Sequence, residues 1–354
     1  MRRLPVFFVL DCSESMAGDN LKKMEDGIGM IVRSLRQDPH ALETAFLSVI
    51  AFAGIARTIA PLVEAYSFYA PKLPMGSGTS LGAALQELMN QIDSQVKMTT
   101  LEQKGDWKPI VYLFTDGKPT DKVDSILRIW QERYAKKTNL IAIAMGKYAD
   151  IGTLQKLTET VLIFDEQGEG DFKKFIAWIS SSVSSQSKSV SAGLGDELNL
   201  AKIDSNVISL VKKGDTPPPP PSDHDCVVLV GRCQKSSGPY LIKYDRLKHV
   251  IPFNENTQVK NHFELTGCYP IAEEYFEWSA PEAANLKVST SELVGTPGCP
   301  YCGNVSAFAQ CGCGKLMCIN GPGIATCPWC KTQVQFAPGG GGDDGGFDVQ
   351  RGRG

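Results

Sequence analysis

Two sets of side chains in this sequence have the types and spacing to bind metal. The first is rich in oxygen. In Asp11-Cys12-Ser13-Glu14-Ser15 one carboxylate and two hydroxyls fall at alternate positions, so residues 11, 13 and 15 project to one side of a loop. Gly76-Ser77-Gly78-Thr79-Ser80 adds the Thr79 hydroxyl, and Thr115-Asp116-Gly117 adds a second carboxylate. Asp11, Ser13, Ser15, Thr79 and Asp116 are then five hard donors for a divalent cation. So few carboxylates favour Mg²⁺ or Mn²⁺, which keep water or an incoming ligand at their open positions. Cys12, between two candidate ligands, is expected to face the core.

The second set is thiols. Of eleven cysteines, only Cys12 precedes residue 226, and seven fall in the 32 residues from Cys299 to Cys330. They are Cys299 and Cys302 in a C-P-Y-C pair, Cys311 and Cys313, Cys318, and Cys327 and Cys330 in a C-P-W-C pair. A C-x-x-C turn places two thiolates on one zinc ion, so this cluster predicts structural zinc, one or two ions. Two pairings remain open. Cys299, Cys302, Cys327 and Cys330 would form one ribbon-like site. Alternatively, a cross-brace puts Cys311, Cys313, Cys327 and Cys330 on one ion and leaves Cys299, Cys302 and Cys318 as a three-thiolate second site. A RING carries a further ligand about three residues after the position of Cys318; Gly321 stands there, against a ubiquitin-ligase reading. Cys226, Cys233 and Cys268 are expected to be core residues.

The elements that must position these groups follow from apolar patterning. Pro5–Asp11, Ala45–Phe52, Pro109–Phe114, Leu140–Met145 and Val161–Phe164 read as short apolar strands that alternate with helical periodicity over 18–36, 80–96, 121–137, 151–158 and 172–183. Arg57–Val63 reads as a hairpin partner of the second strand. Strands buried on both faces and separated by helices imply an α/β fold, a mostly parallel sheet with helices on both sides. Ligands of such sheets bind outside the carboxyl ends of the strands, where all three oxygen-bearing segments emerge.

This first domain is expected over 1–185. Residues 186–222 read as a linker, ending in the Pro217–Pro221 run, a stiff polyproline spacer. Residues 223–337 read as a small β-rich zinc domain, with strands at 227–230, 240–244, 249–251 and 263–265. The Gly-rich segment 338–354 lacks apolar periodicity and is expected to be a disordered tail.

Composition narrows the function classes. A chain of 354 residues predicts two or three domains. With 42% hydrophobic residues and a net charge of −3, it has the material for a core and no basic excess to attract nucleic acid. No apolar run reaches the roughly 20 residues that span a bilayer. The apolar stretch before Asp11 is short and lacks a small-residue cleavage pattern, so it reads as a buried strand and the protein as cytoplasmic.

The oxygen constellation resembles the metal-ion-dependent adhesion site of von Willebrand factor A domains, with all five ligand positions present as Asp11, Ser13, Ser15, Thr79 and Asp116. The resemblance implies a Rossmann-like fold and a Mg²⁺ ion whose coordination is completed by an Asp or Glu from a protein partner: binding rather than turnover. Together with Cys311-Gly312-Cys313-Gly314-Lys315 and Cys327-Pro328-Trp329-Cys330, the chain is similar to the TerY-type proteins of bacterial tellurite-resistance loci, whose C-terminal region is the TerY-C metal-binding domain. That resemblance implies a partner to a protein kinase and a Ser/Thr protein phosphatase in a stress-response or phage-defence system.

Enzyme readings find little support in the residues. None of the four histidines, His40, His224, His249 and His262, lies near the D-x-S-x-S loop in sequence, so Ser13 and Ser15 lack a visible base. Gly117-Lys118-Pro119-Thr120 has proline where a phosphate-binding loop needs an amide. The expectation is a non-enzymatic binding module. The alternative is an enzyme component, either a RING-like ubiquitin ligase or a helper subunit of a metal-inserting ATPase.

Overall fold

The computed structural model describes residues 2–102, 104–116, 118–145, 149–166, 168, 170–191, 198–205, 207–211, 226–246, 262–280, 286–337 and 346–352. The chain forms two compact units. The first is Met1–Cys12, Asp19–Pro74 and Thr79–Pro220; the second is Ser13–Gly18, Met75–Gly78 and Pro221–Gly354.

The strands of the first unit are β1 (Leu4–Asp11), β2 (Ala45–Phe52), β3 (Ala56–Glu64), β4 (Ile110–Thr115), β5 (Asn139–Met145), β6 (Thr160–Phe164) and β7 (Ile208–Leu210). They make one sheet in the order β3-β2-β1-β4-β5-β6-β7. The interior pairs β2-β1, β1-β4, β4-β5 and β5-β6 are parallel, and the edge strands β3 and β7 are antiparallel. All eight residues of β1 are buried, as an unbroken apolar run in a central parallel strand requires.

Alternation along the strands assigns the helices to faces. Val111 and Leu113 of β4 share a core with α3 (Leu81–Gln95), α4 (Asp124–Arg133) and α5 (Ile151–Leu157). Phe114 points the other way, edge-on to Phe175 of α6 (Asp171–Ser191) at 6.0 Å between ring centroids. α6 in turn packs with α1 (Asp19–Gln37) and α2 (Pro39–Thr44). The short α2 was not foreseen in the sequence; Pro39 opens it and the Asp38 carboxylate accepts the His40 and Ala41 N–H groups.

The expected linker over 186–222 is structured in part. α6 runs on to Ser191, and Gln186, Ser187 and Val190 are buried on it. The serine-rich composition reads as loop, but here the helix continues, and side chains along it hold the returning chain. Gln186 accepts the Asn199 N–H at 2.7 Å, Ser182 accepts the Ala201 N–H at 3.1 Å, and Trp178 donates to the Ala201 carbonyl at 3.0 Å. The chain then adds β7 to the sheet edge. The proline run and the strand expected at 249–251 lie outside the described residues.

The second unit is built on β8 (Cys226–Arg232), β9 (Pro239–Arg246), β10 (Phe263–Pro270), β11 (Lys287–Ser289), β12 (Leu293–Val294), β13 (Ser306–Gln310), β14 (Leu316–Ile319), β15 (Gly323–Thr326), β16 (Gln333–Phe336) and β17 (Asp348–Gln350), with the short helix α7 (Tyr275–Trp278). Its main sheet has the order β12-β10-β9-β8-β14-β13. β8, β9 and β10 form an antiparallel meander, and β14 joins β8 in parallel.

The tail departs from the disorder expected over 338–354. Residues 338–345 lie outside the described residues, but β17 pairs with β11 and Val349 is fully buried in the core of the unit. Phe347 and Val349, the two apolar residues between the glycines, are too short a run to read as an element, yet Val349 fills a core position. Val349→Asp places an unpaired carboxylate there and is expected to cost the second unit about 3 kcal/mol or more. Chemical denaturation of the full chain, followed by a probe in the second unit, measures this; an unchanged midpoint would make the tail strand incidental.

Candidate metal centres

Three of the five oxygen donors belong to the first unit and emerge at the carboxyl edge of its parallel sheet. Asp11 ends β1 and is buried, with the Thr115 hydroxyl donating to its carboxylate at 2.6 Å. Asp116 follows β4 directly, one strand over, where β1 and β4 run in register from Val6↔Ile110 to Leu10↔Phe114. Thr79 precedes α3 and is buried. Its N–H is held by the Thr120 hydroxyl at 2.9 Å, and its carbonyl accepts the Thr120 N–H at 2.9 Å, which ties it to the loop after β4. Cys12 is fully buried and takes no place among the donors. Burial, and then the Asp11 charge, push its thiol well above the ordinary range.

Ser13 and Ser15 belong to the second unit, Ser13 just before and Ser15 within the 3-10 turn Glu14–Met16, with their hydroxyls 2.9 Å apart. A residue that sequence reasoning passed over lies between them. Glu14 is wholly buried; its carboxylate accepts from the Tyr275 hydroxyl and from the Ser77 hydroxyl at 3.0 Å. Lys243 donates to the Ser15 carbonyl at 2.6 Å, and Ser77 exchanges hydrogen bonds with Ser279 and Ala280 at 2.9 Å. Gly76 has to be glycine, because a Cβ there would come within 2.5 Å of the Trp278 backbone. Met75–Gly78 is therefore held within the second unit, and Gly117, beside Asp116, lies outside the described residues.

The thiols gather into two groups of four. Cys311, Cys313, Cys327 and Cys330 make one, and Cys233, Cys299, Cys302 and Cys318 the other; within each group the sulfurs lie within 4.8 Å of one another. The ribbon-like pairing of residues 299, 302, 327 and 330 is thus excluded, and the groups interleave along the chain as in the cross-brace alternative. The three-thiolate site is completed by Cys233, expected from sequence to be a mere core residue. Cys226 and Cys268 join neither group.

Local backbone geometry explains why Cys233 qualifies. In the turn opened by Cys299, Gly303 N–H donates to the Cys299 carbonyl and Cys299 N–H to the Asn304 carbonyl, at 3.2 and 2.8 Å. Cys327 makes the same pair of bonds with Lys331 and Thr332, at 3.0 and 2.9 Å, and Cys233 with Ser237 and Gly238, both at 2.9 Å. The fifth residue of each turn has positive φ: Gly303 at 72°, Lys331 at 63° and Ser237 at 60°. The described residues therefore contain three copies of one knuckle. In the first, Ser236 stands where the others carry their second cysteine. The C-x-x-S-x-G pattern of residues 233–238 is the signal that could have found it.

The donor chemistry of both groups fits zinc. Cys318 accepts the Gln234 N–H at 3.2 Å and the Asn304 side-chain amide at 3.4 Å. Burial works against the Cys233 thiolate, but hydrogen bonds from Ser236 and from the Lys235 N–H outweigh it and lower the group to about 6. Thr332, through its hydroxyl and its N–H, likewise lowers Cys330 to about 6, whereas burial pushes Cys311 up to about 12. Donors aimed at sulfur favour thiolate, and mutual repulsion forbids four thiolates together. A divalent, thiophilic cation resolves that conflict; tetrahedral four-thiolate sites are the structural form of zinc.

The matches to known families agree with this geometry. Residues 6–176 match the von Willebrand factor type A domain, and residues 223–354 match the TerY-C metal binding domain. The chain has the TerY-type architecture, an A domain followed by a TerY-C domain. Solved structures similar to it include a von Willebrand factor type A protein from Catenulispora acidiphila, at 16% identity over 52% of this chain and 43% of that one, with a TM-score of 0.40. Proximal thread matrix protein 1 from the mussel byssus, with a zinc-occupied MIDAS motif, matches at 16% identity over 52% of this chain and 46% of that one, TM-score 0.36. The ArnB paralog VWA2 from Sulfolobus acidocaldarius matches at 12% identity over 96% of this chain and 67% of that one, TM-score 0.37. The chain spans less than half the length of the first two, and likeness this remote does not bear on function. Among the described residues no helix is long and apolar enough to cross a membrane.

Proposed function

We propose that this TerY-type protein is a non-enzymatic, cation-dependent protein-binding module. In this reading Asp11, Ser13, Ser15, Thr79 and Asp116 hold Mg²⁺ or Mn²⁺, and the TerY-C domain is a scaffold organised by two zinc ions. The observation that carries it is the delivery of Asp11, Thr79 and Asp116 to one edge of the parallel sheet, with Asp11 oriented by Thr115. A cation there supplies an open position and uncompensated positive charge, which favours a carboxylate. Asp and Glu side chains of a partner answer that chemistry, while surrounding loops, Met75–Thr79 among them, contribute shape. The family resemblance names a protein kinase and a Ser/Thr protein phosphatase as the partners, in a cytoplasmic stress-response, tellurite-resistance or phage-defence system.

Capture of the candidate kinase and phosphatase by the tagged full chain tests this. Mg²⁺ is withheld by dialysis rather than by EDTA, which would also strip the thiolate sites. Capture is expected with Mg²⁺, to fall at least about tenfold without it, and to be lost in Asp116→Ala, since removing one of two ligand carboxylates costs several kcal/mol. Undiminished capture by a folded Asp116→Ala protein would move the partner's docking surface elsewhere.

A further inference from the structure

The two thiolate clusters differ in access. In the inner cluster Cys233, Cys299 and Cys318 are buried and Cys302 is half-buried. In the outer cluster Cys311 and Cys327 are buried, but Cys313 and Cys330 are exposed. Each exposed sulfur has a buried neighbour at short range: Cys330 to Cys311 at 3.7 Å, and Cys313 to Cys327 at 3.9 Å. We propose that the outer cluster is an oxidation site, at which peroxides and related two-electron oxidants convert thiolate pairs to disulfides and expel its zinc, while the inner cluster retains its own. The proposal rests on the reading of both clusters as zinc sites.

The chemistry balances within the chain and the oxidant. The Cys330 sulfur attacks a peroxide oxygen; the S–O bond forms, the O–O bond breaks, and the departing oxygen leaves as water once protonated. The Cys311 sulfur then attacks the sulfenic sulfur; the S–S bond forms and the S–O bond breaks, releasing a second water. Two thiolates have lost two electrons, and hydrogen peroxide with two protons has become two waters. Cys313 and Cys327 are placed for the same sequence. A zinc ion held by these four sulfurs would need no change of oxidation state, and the disulfide would leave only two of the four thiolates to hold it.

Access makes the step selective, because a buried thiolate meets a solvent-borne oxidant slowly. Loss of the outer ion would also act on its surroundings. Gly314, Lys315 and Trp329 on the outer knuckles, with Leu316 at the start of β14, form one wall of a cavity of about 200 Å³ in the second unit. Trp329 is held there by donating to the Leu316 carbonyl at 2.8 Å and by the Arg232 guanidinium 4.6 Å from its ring.

The experiment is a hydrogen peroxide titration of the full-length protein. Zinc release is followed with a chromogenic chelator and disulfides are mapped by mass spectrometry after alkylation. Before oxidant, about two zinc ions per chain are expected; fewer overturns the zinc reading and the proposal with it. With two present, the expected result is release of one ion, disulfides confined to Cys311, Cys313, Cys327 and Cys330, and loss of the second ion at least about tenfold more slowly. Reductant and added zinc should restore the starting state. Cys330→His, which keeps a fourth ligand but removes an exposed nucleophile, should slow the first release. Simultaneous loss of both ions, or first disulfides at Cys233, Cys299, Cys302 or Cys318, overturns the proposal while leaving the zinc reading intact.

Discussion

Cys233→Ser is expected to remove one zinc ion per chain and to unfold most of the second unit, while the seven-stranded sheet stays folded. Cys233 closes the inner cluster, around which the sheet core of Val227, Leu229, Tyr240 and Ile242 packs against Cys299 and Cys318. Structural zinc supplies about 10 kcal/mol or more of folding free energy in small domains, as much as the net stability of a typical domain. Serine is a poor zinc ligand, and the variant leaves three thiols facing one another without compensation. Cys268→Ser is the control. That thiol is outside both clusters, and burial pushes it up to about 12, so it is neutral in the folded protein. Metal analysis with limited proteolysis separates the two variants. A Cys233→Ser protein that keeps two zinc ions and a protease-resistant C-terminal region would refute the four-thiolate inner site.

Mg²⁺ at about a hundred times its dissociation constant is expected to stabilise the A domain by about 2.7 kcal/mol. For a domain of about 200 residues, that raises the thermal midpoint by about 5–10 °C. The response should vanish in Asp11→Ala and Asp116→Ala. Asp11→Asn is more discriminating. It can still accept the Thr115 hydrogen bond, so the Mg²⁺-free protein should be no less stable than wild type, because a buried charge has been replaced by a neutral amide. With Mg²⁺ present it should fall behind by the whole of the lost increment. Scanning calorimetry at fixed zinc reads all four proteins. An equal Mg²⁺ shift in Asp116→Ala and wild type would show that the ion binds elsewhere.

The alternation of apolar runs and helical stripes was legible because a central parallel strand is buried on both faces, and its composition says so directly. β1 is the plainest case, and its end at Asp11 placed the first carboxylate at the sheet edge. Short-range thiol pairs were legible for a similar reason: C-x-x-C closes a single turn, and its geometry is local. What sequence spacing left open was which turns meet. β14 lies parallel to β8 with Leu316↔Gly231 and Met317↔Arg232, and continuing that register sets Cys318 beside Cys233. A strand pairing across more than eighty residues, in which Gln234 N–H reaches Cys318, therefore completed the inner cluster. No local signal beyond the C-x-x-S knuckle pointed to it. The same limit hid Glu14, whose buried carboxylate makes sense only beside Tyr275 and Ser77. It also hid Val349, which with Phe347 makes only a two-residue apolar signal and becomes core only when β11 offers it an edge. By itself the sequence determined the donor types, the parallel sheet and the adjacent cysteine pairs, because these depend on neighbours along the chain. Only the tertiary structure decided the partition of the thiols and the fate of the tail, because backbone pairing between distant segments sets which buried groups can satisfy one another.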